Sequence, residues 1–234
     1  MTGAGGVAAA RFATQRTSGG AIPTPALQSL QVMSIPVSMA KPMLVARHYL
    51  HSWPAGTQLA FGVFQAGQLH GALALGAGPA NAHRLVRGAA REDCLCLTRL
   101  WLTDALPTNA ESRVISFVVR ALRKTSLKFI VTYADPAAGH SGTIYQAANF
   151  QYAGLSQATP LYDAGDGVLR HSRSFSHIFG TRDRKHFSDS GISLKVVTPL
   201  PKYRYVYFLD PAWRGRLLVP TLPYPKKEVS DAHG

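Results

Sequence analysis

The stretch Leu95-Cys-Leu-Thr-Arg-Leu-Trp-Leu102 decides how this chain is expected to fold. Its apolar residues do not alternate with polar ones, which is the pattern of a central strand covered on both faces. A few residues later Thr108-Asn-Ala-Glu111 matches a capping box, with Thr108 as N-cap and Glu111 three residues on. The helix it opens is predicted to run to about Lys124. Val114, Ile115, Val118 and Leu122 mark its inner face, and Arg113, Arg120, Arg123 and Lys124 line another side. Phe129 to Tyr133 reads as a second buried strand, ended by Asp135-Pro136. A Gly-bearing loop, a short helix from Thr143 to Ala148 and a strand from Phe150 to Ala153 follow.

Upstream, Leu59 to Phe64 and Leu69 to Leu75 form a hairpin around Gln65-Ala-Gly-Gln68. Before it come a strand within Leu30 to Val37 and a helix from Ser38 to His51, capped by Ser38 and stopped before Trp53-Pro54. Strands alternating with helices after an antiparallel hairpin predict an α/β fold, a mixed sheet flanked by helices. Ile192 to Val197 and Tyr203 to Leu209 read as a C-terminal hairpin, a strand-rich extension with an extended tail from Leu222 to Lys227. The expected organisation is therefore a disordered arm at 1–26, an α/β domain at 27–190, and a hairpin and tail packed on it at 191–234.

The chain has 234 residues, with 25 Lys or Arg against 12 Asp or Glu, a formal charge of +13. No apolar run is long enough for a membrane helix, so no membrane partner is expected. Cys94 and Cys96 share a strand face and cannot easily bridge, and no second pair exists for a zinc site. A cytoplasmic protein with a polyanionic partner remains. Its first acidic residue is Glu92, and a basic block interleaved with aromatics runs from Arg170 to Arg216. This reads as a nucleic-acid surface for double-stranded DNA, with Arg120, Arg170, Arg173, Arg182, Arg184 and Lys185 as candidate contacts. The alternative is a basic protein of a GC-rich genome, where Arg displaces Lys. Oligomeric state is not legible, a homodimer being one option.

In open α/β sheets, ligands gather at the carboxyl ends of strands and at helix N-termini. Four polar residues fall there. Arg99 interrupts the central strand and is either half of a buried ion pair or a ligand-binding group. Ser112 lies in the first turn of its helix, where it could face an anion or satisfy local backbone. Asp135 leaves the second buried strand as a general base or as a turn cap. Tyr145 follows on the short helix, as a proton donor or as core. His48 and His51, at helical spacing, are weak metal candidates without a third ligand.

Phe129-Ile-Val-Thr-Tyr-Ala-Asp135 with Ile144-Tyr-Gln-Ala-Ala-Asn-Phe150 resembles the late strand–helix–strand unit of the GNAT acyltransferase fold. The turn Leu106-Pro-Thr-Asn-Ala-Glu-Ser112 lacks the glycine of that fold's pyrophosphate loop. A closer resemblance, from about Arg47 to Lys227, is to the phage Mu Mom-like family of DNA adenine-modification proteins. It is carried by His48-Tyr-Leu50, Trp53-Pro-Ala-Gly56, Leu97-Thr-Arg-Leu-Trp101, Asn109-Ala-Glu-Ser-Arg113, Tyr133-Ala-Asp-Pro136, His140-Ser-Gly-Thr-Ile-Tyr145 and Arg170-His-Ser-Arg173. The resemblance implies a GNAT-like fold and a transferase adding a methylcarbamoyl-type group to N6 of adenine in DNA, which blocks host restriction. It implies an active site of Arg99, Ser112, Asp135 and Tyr145, and iron, for which His48, Tyr49 and Asp135 are the ligand candidates. The donor has no motif here; an acyl-coenzyme A and an aminoacyl-tRNA both suit the chain. The competing expectations are a GNAT acetyltransferase of a small amine or protein, which the missing glycine opposes, and a non-catalytic DNA-binding module.

Overall fold

The computed structural model describes residues 30–226; the arm expected at 1–26 lies outside them. The elements run β1 (Gln31–Ile35), α1 (Val37–Arg47), β2 (Thr57–Gln65), β3 (Gln68–Gly76), β4 (Cys94–Leu102), α2 (Ala110–Leu122) and β5 (Phe129–Ala134). They continue with α3 (Thr143–Ala147), β6 (Gln151–Leu155), β7 (Leu161–Asp163), β8 (Arg170–His171), α4 (Ser172–Phe179), α5 (Arg184–Asp189), β9 (Lys195–Val197) and β10 (Tyr203–Phe208). They divide into two compact units. The first takes residues up to 133, 142–154 and 205–224; the second takes 134–141, 155–204 and the chain beyond.

The first unit is built on a seven-stranded sheet of order β1-β2-β3-β4-β5-β10-β6. Strands β1 to β4 are antiparallel neighbours, whereas β4 and β5 are parallel, so the sheet is mixed as expected. Gln65 pairs with Gln68 across Ala66 and Gly67, both at positive φ (48° and 79°), which is the tight primed turn that the hairpin's twist favours. On one face α1 buries Ala40 and Leu44 against Ala60, Ala72 and Ala74. The small residues on β2 and β3 let the helix sit close. Elsewhere Phe129, Val131, Val206 and Phe208 pack with Cys94 and Cys96, whose thiols are free and buried. Helix α2 buries Val114, Ile115, Val118, Val119 and Leu122, the stripe its periodicity indicated.

Two helix starts differ from expectation. Asn109, in the left-handed region at φ 70°, is the N-cap of α2 and makes no side-chain capping bond, so Thr108 and Glu111 form no capping box. The αL residue turns the chain so sharply that the helix begins one residue later. Helix α1 starts behind Pro36, whose fixed φ of −55° sets the entry, and Ser38 lies inside the helix rather than capping it.

The expected C-terminal hairpin does not form. β9 pairs with β7, while β10 is inserted between β5 and β6. Thr198-Pro199-Leu200-Pro201 separates them, and neither proline has an N–H to offer a ladder between the two strands. With Tyr205 and Val206 fully buried, β10 belongs to the main core, so the boundary expected at residue 191 is replaced by the interleaved division above. The tail is held on β6: Leu222 bridges Tyr152, and the Tyr224 hydroxyl donates to the Phe150 carbonyl at 3.0 Å.

The second unit has a three-stranded sheet, β8-β7-β9, covered by α4. Its interior is aromatic. Phe175 stands 4.6 Å from Phe179, 5.4 Å from Phe187 and 5.4 Å from Tyr162, ring centre to ring centre. The aromatics interleaved with the basic block, read from sequence as part of a nucleic-acid surface, are therefore core here, with Phe175 and Phe187 buried. A small unit without long helices needs large side chains to bury enough area.

Candidate active site at the carboxyl ends of β4 and β5

Parallel pairing of β4 with β5 runs from Cys94↔Phe129 to Leu97↔Thr132 and stops there, although β4 continues to Leu102. At the same level the β3–β4 register shifts, with Ala74 opposite Arg99 and Leu75 opposite Leu97. Thr98 is the extra residue of this bulge, and its hydroxyl donates to the Ala74 carbonyl at 3.1 Å. A bulge re-aims the side chain that follows it. Here that side chain is Arg99.

Arg99 forms no ion pair among the described residues. Its Nε donates to the Ser52 carbonyl at 3.2 Å, Nη2 to the Ser52 hydroxyl at 3.2 Å and Nη1 to the Thr98 carbonyl at 2.7 Å. Five N–H groups belong to a guanidinium. One on each Nη is thus uncommitted among the described residues, on a cation whose pKa is lowered by partial burial and supported by nearby Tyr49.

Tyr145 lies on α3, buried between the rings of Phe150 (5.9 Å) and Tyr205 (5.6 Å). Burial pushes its phenol above the ordinary tyrosine range, and a hydrogen bond with the Thr132 hydroxyl pulls the other way. Thr132 is fully buried and donates to the Leu97 carbonyl at 3.1 Å, across the last β4–β5 pair. The phenol is held where the two strands stop pairing. Thr132 was missed from sequence; a lone hydroxyl in the apolar run of β5 was its signal. Gly142 caps α3 at φ 85°, and a Cβ there would lie 2.4 Å from the Tyr205 ring.

Ser112 is buried in the first turn of α2, which packs against α3. Its hydroxyl donates to the Asn109 carbonyl at 3.1 Å, satisfying the backbone beside the αL cap. It offers lone pairs rather than a free proton. Asp135 directly follows β5 and belongs to the second unit. One oxygen accepts from the Ala137 amide at 3.1 Å and the other lies 2.8 Å from Lys202 Nζ. Of its two sequence alternatives the turn cap is present, and the carboxylate is also held by Lys202.

The expected iron ligands fare differently. His48 ends α1, buried, and its Nδ1 accepts the Leu50 amide at 3.2 Å. The ring proton then sits on Nε2, so neither nitrogen offers a lone pair. Tyr49 stacks on that ring at 4.4 Å, and both oxygens of Asp135 are engaged as described. No three His, Cys, Asp or Glu side chains gather among the described residues. Binding iron through His48 and Asp135 would therefore compete with the Leu50 amide for Nδ1 and with Lys202 and the Ala137 amide for the carboxylate.

Of the candidate DNA contacts, Arg182, Arg184 and Lys185 are exposed around the start of α5, and Arg120 is exposed on α2, its guanidinium 4.6 Å from the Phe117 ring. Arg170 is already committed: its guanidinium grips Asp166 through two bonds, at 2.5 and 2.8 Å, and covers Phe179. That grip holds the Asp166 carboxyl well below its usual range. The Arg173 side chain lies outside those described. No described helix is long and apolar enough to cross a membrane.

The first unit is a mixed α/β fold in which the Arg99 bulge and the Thr132–Tyr145 bond both lie where β4–β5 pairing ends. The chain belongs to the Mom protein family, whose model matches residues 29–226. It is 31% identical over 206 residues to the methylcarbamoylase Mom of Escherichia phage Mu, with 85% of each chain covered. Among solved structures it is similar to an IAA acetyltransferase from Bacillus cereus, at 11% identity and a TM-score of 0.44, covering 77% of this chain and 99% of that one. It is also similar to spermidine N-acetyltransferase from Vibrio cholerae in complex with CoA and spermine, at 8% identity and a TM-score of 0.45, covering 77% and 96%.

Proposed function

We propose that this chain is a DNA-modifying transferase that places a methylcarbamoyl-type group on N6 of adenine in double-stranded DNA and so protects phage DNA from restriction. Membership of the Mom family and the likeness to a methylcarbamoylase support the reaction type. The observation that carries the site is Arg99, a half-buried cation on a bulge with no carboxylate partner among the described residues, on the strand whose pairing with β5 ends beside the Tyr145 phenol.

The chemistry asks for three things. Adenine N6 is a weak nucleophile, and in a duplex it is paired and stacked, so the base must be flipped out at a cost of a few kcal/mol. N6 then bonds to the donor carbon while the donor's bond to its leaving group breaks, and N6 gives up a proton. In this reading the two uncommitted N–H groups of Arg99 hold the donor oxygen as its charge grows. The Thr132 proton goes to the Leu97 carbonyl, so the buried phenol of Tyr145 donates to Thr132, and in this reading its remaining lone pair orients the base as an acceptor. Asp135, oriented by Lys202 and the Ala137 amide, accepts the proton from N6. Ser112 contributes as an acceptor from its fixed position in α2.

The test is mass spectrometry of nucleosides from the DNA of cells expressing the chain. A modified deoxyadenosine is expected, together with its loss in a folded Asp135→Asn variant. Unmodified adenine in the parent would overturn the reading.

A further inference from the structure

The Gly- and Arg-rich segment before β4 and the end of the basic block after β10 are far apart in sequence, yet the fold joins them. The Arg87 amide donates to the Arg216 carbonyl at 2.8 Å, the Leu218 amide donates to the Leu85 carbonyl at 2.9 Å, and Val86 forms an antiparallel bridge with Leu217. Val86 is buried and, with Leu217, packs on the core, which fixes this short ladder to the first unit. In that register Arg87 stands directly opposite Arg216, and both are exposed. Arg84, Arg91 and Arg214 are exposed on the same segments.

Like charges directly opposite one another on paired strands are destabilising. None of the five arginines forms an ion pair among the described residues. Of the nearby carboxylates, Asp93 accepts the Ala90 amide at 2.8 Å, and Asp210 accepts Lys128 Nζ at 3.4 Å and the Ala212 amide at 3.1 Å; Glu92 is exposed beside Arg91. Arg216 is held over the Trp213 ring at 4.3 Å, so part of the surface is already ordered. The Lys128 amide donates to the Asp93 carbonyl, placing the patch at the amino ends of β4 and β5. Along β4 that is roughly 17 Å from Arg99, at about 3.3 Å per residue.

We propose that Arg84, Arg87, Arg91, Arg214 and Arg216 form a second docking surface for the phosphate backbone of duplex DNA, at the opposite end of the strands from the candidate active site. Guanidinium forks match phosphate oxygens in geometry as well as charge. The one large aromatic here, Trp213, lies under Arg216 and Lys128, so no bare ring is offered for unstacked bases, which favours a duplex over a single strand. The choice of DNA rests on the function proposed above; the surface itself does not.

The experiment measures affinity of the full chain for a long duplex across a salt series, by fluorescence anisotropy. Log affinity falls with log salt by roughly 0.9 per phosphate contact, so Arg87→Gln with Arg216→Gln should flatten the slope by about 1.8. Arg84→Ala with Arg214→Ala, which removes no stacking, should do the same and covers a folding defect in the first pair. Unchanged slopes in both folded pairs would overturn the proposal. A slope that flattens for folded RNA and not for duplex DNA would also overturn it, assigning the surface to RNA. Because binding is read directly, a chain that leaves adenine unmodified could still pass this test.

Discussion

Gly142→Ala should be among the most damaging single-methyl changes in the first unit. Two costs arise at one atom. The residue sits at φ 85°, ψ 26°, where a side chain costs about 1–2 kcal/mol. The new Cβ would also lie 2.4, 2.7 and 2.9 Å from three atoms of the Tyr205 ring end. That ring is fully buried, flanked by Tyr145 at 5.6 Å and Tyr152 at 5.4 Å, and its hydroxyl accepts a bond from Gln146 at 3.0 Å. It cannot swing aside, and forced overpacking of this kind costs about 1–3 kcal/mol. The sum is roughly 2–5 kcal/mol, read as a shift in urea midpoint without a change in slope. Pairing the change with Tyr205→Leu separates the costs, since the smaller side chain removes the clash and leaves the backbone penalty. The cycle should then return a coupling of about 1–3 kcal/mol. Stability within about 0.5 kcal/mol of the parent, or strict additivity in the cycle, would refute the reasoning.

Tyr145→Phe should alter the alkaline limb of stability. The folded phenol keeps its proton above the unfolded value of about 10, so its contribution is complete below that pH and is lost as pH climbs through it toward the raised folded value. The variant should flatten the fall in urea midpoint above pH 10, and an unchanged limb would count against the buried phenol. Ser112→Ala should cost about 1 kcal/mol through the lost bond to Asn109, measured by the same midpoint, whereas Asp135→Asn should abolish modification with little effect on melting. Phe175→Ala should cost about 3–5 kcal/mol within the second unit and expose α4 and α5 to proteolysis while the first unit stays protected.

Local pattern was enough for much of the scaffold. The unbroken apolar run of β4, the stripe on α2 and the two-residue turn between β2 and β3 are each decided by neighbours within a few residues, and each stands where the sequence indicated. Position at strand ends and helix starts is also what made Arg99, Ser112, Asp135 and Tyr145 candidates. What depended on tertiary packing is of another kind. Which strands β10 joins is a tertiary competition: the local pattern of 192–209 suits a hairpin equally well, and burial of Tyr205 and Val206 in the main core decides the outcome. Whether an aromatic beside an arginine meets a base or another ring depends on partners distant in the chain, so Phe175 and Phe187 read as surface and are core, with Phe179 half-buried against both. The same holds for charge. Composition counts Arg170 and Arg216 alike, but only the fold turns one onto Asp166 and sets the other opposite Arg87, because the energy of a charge depends on what stands within a few ångströms of it.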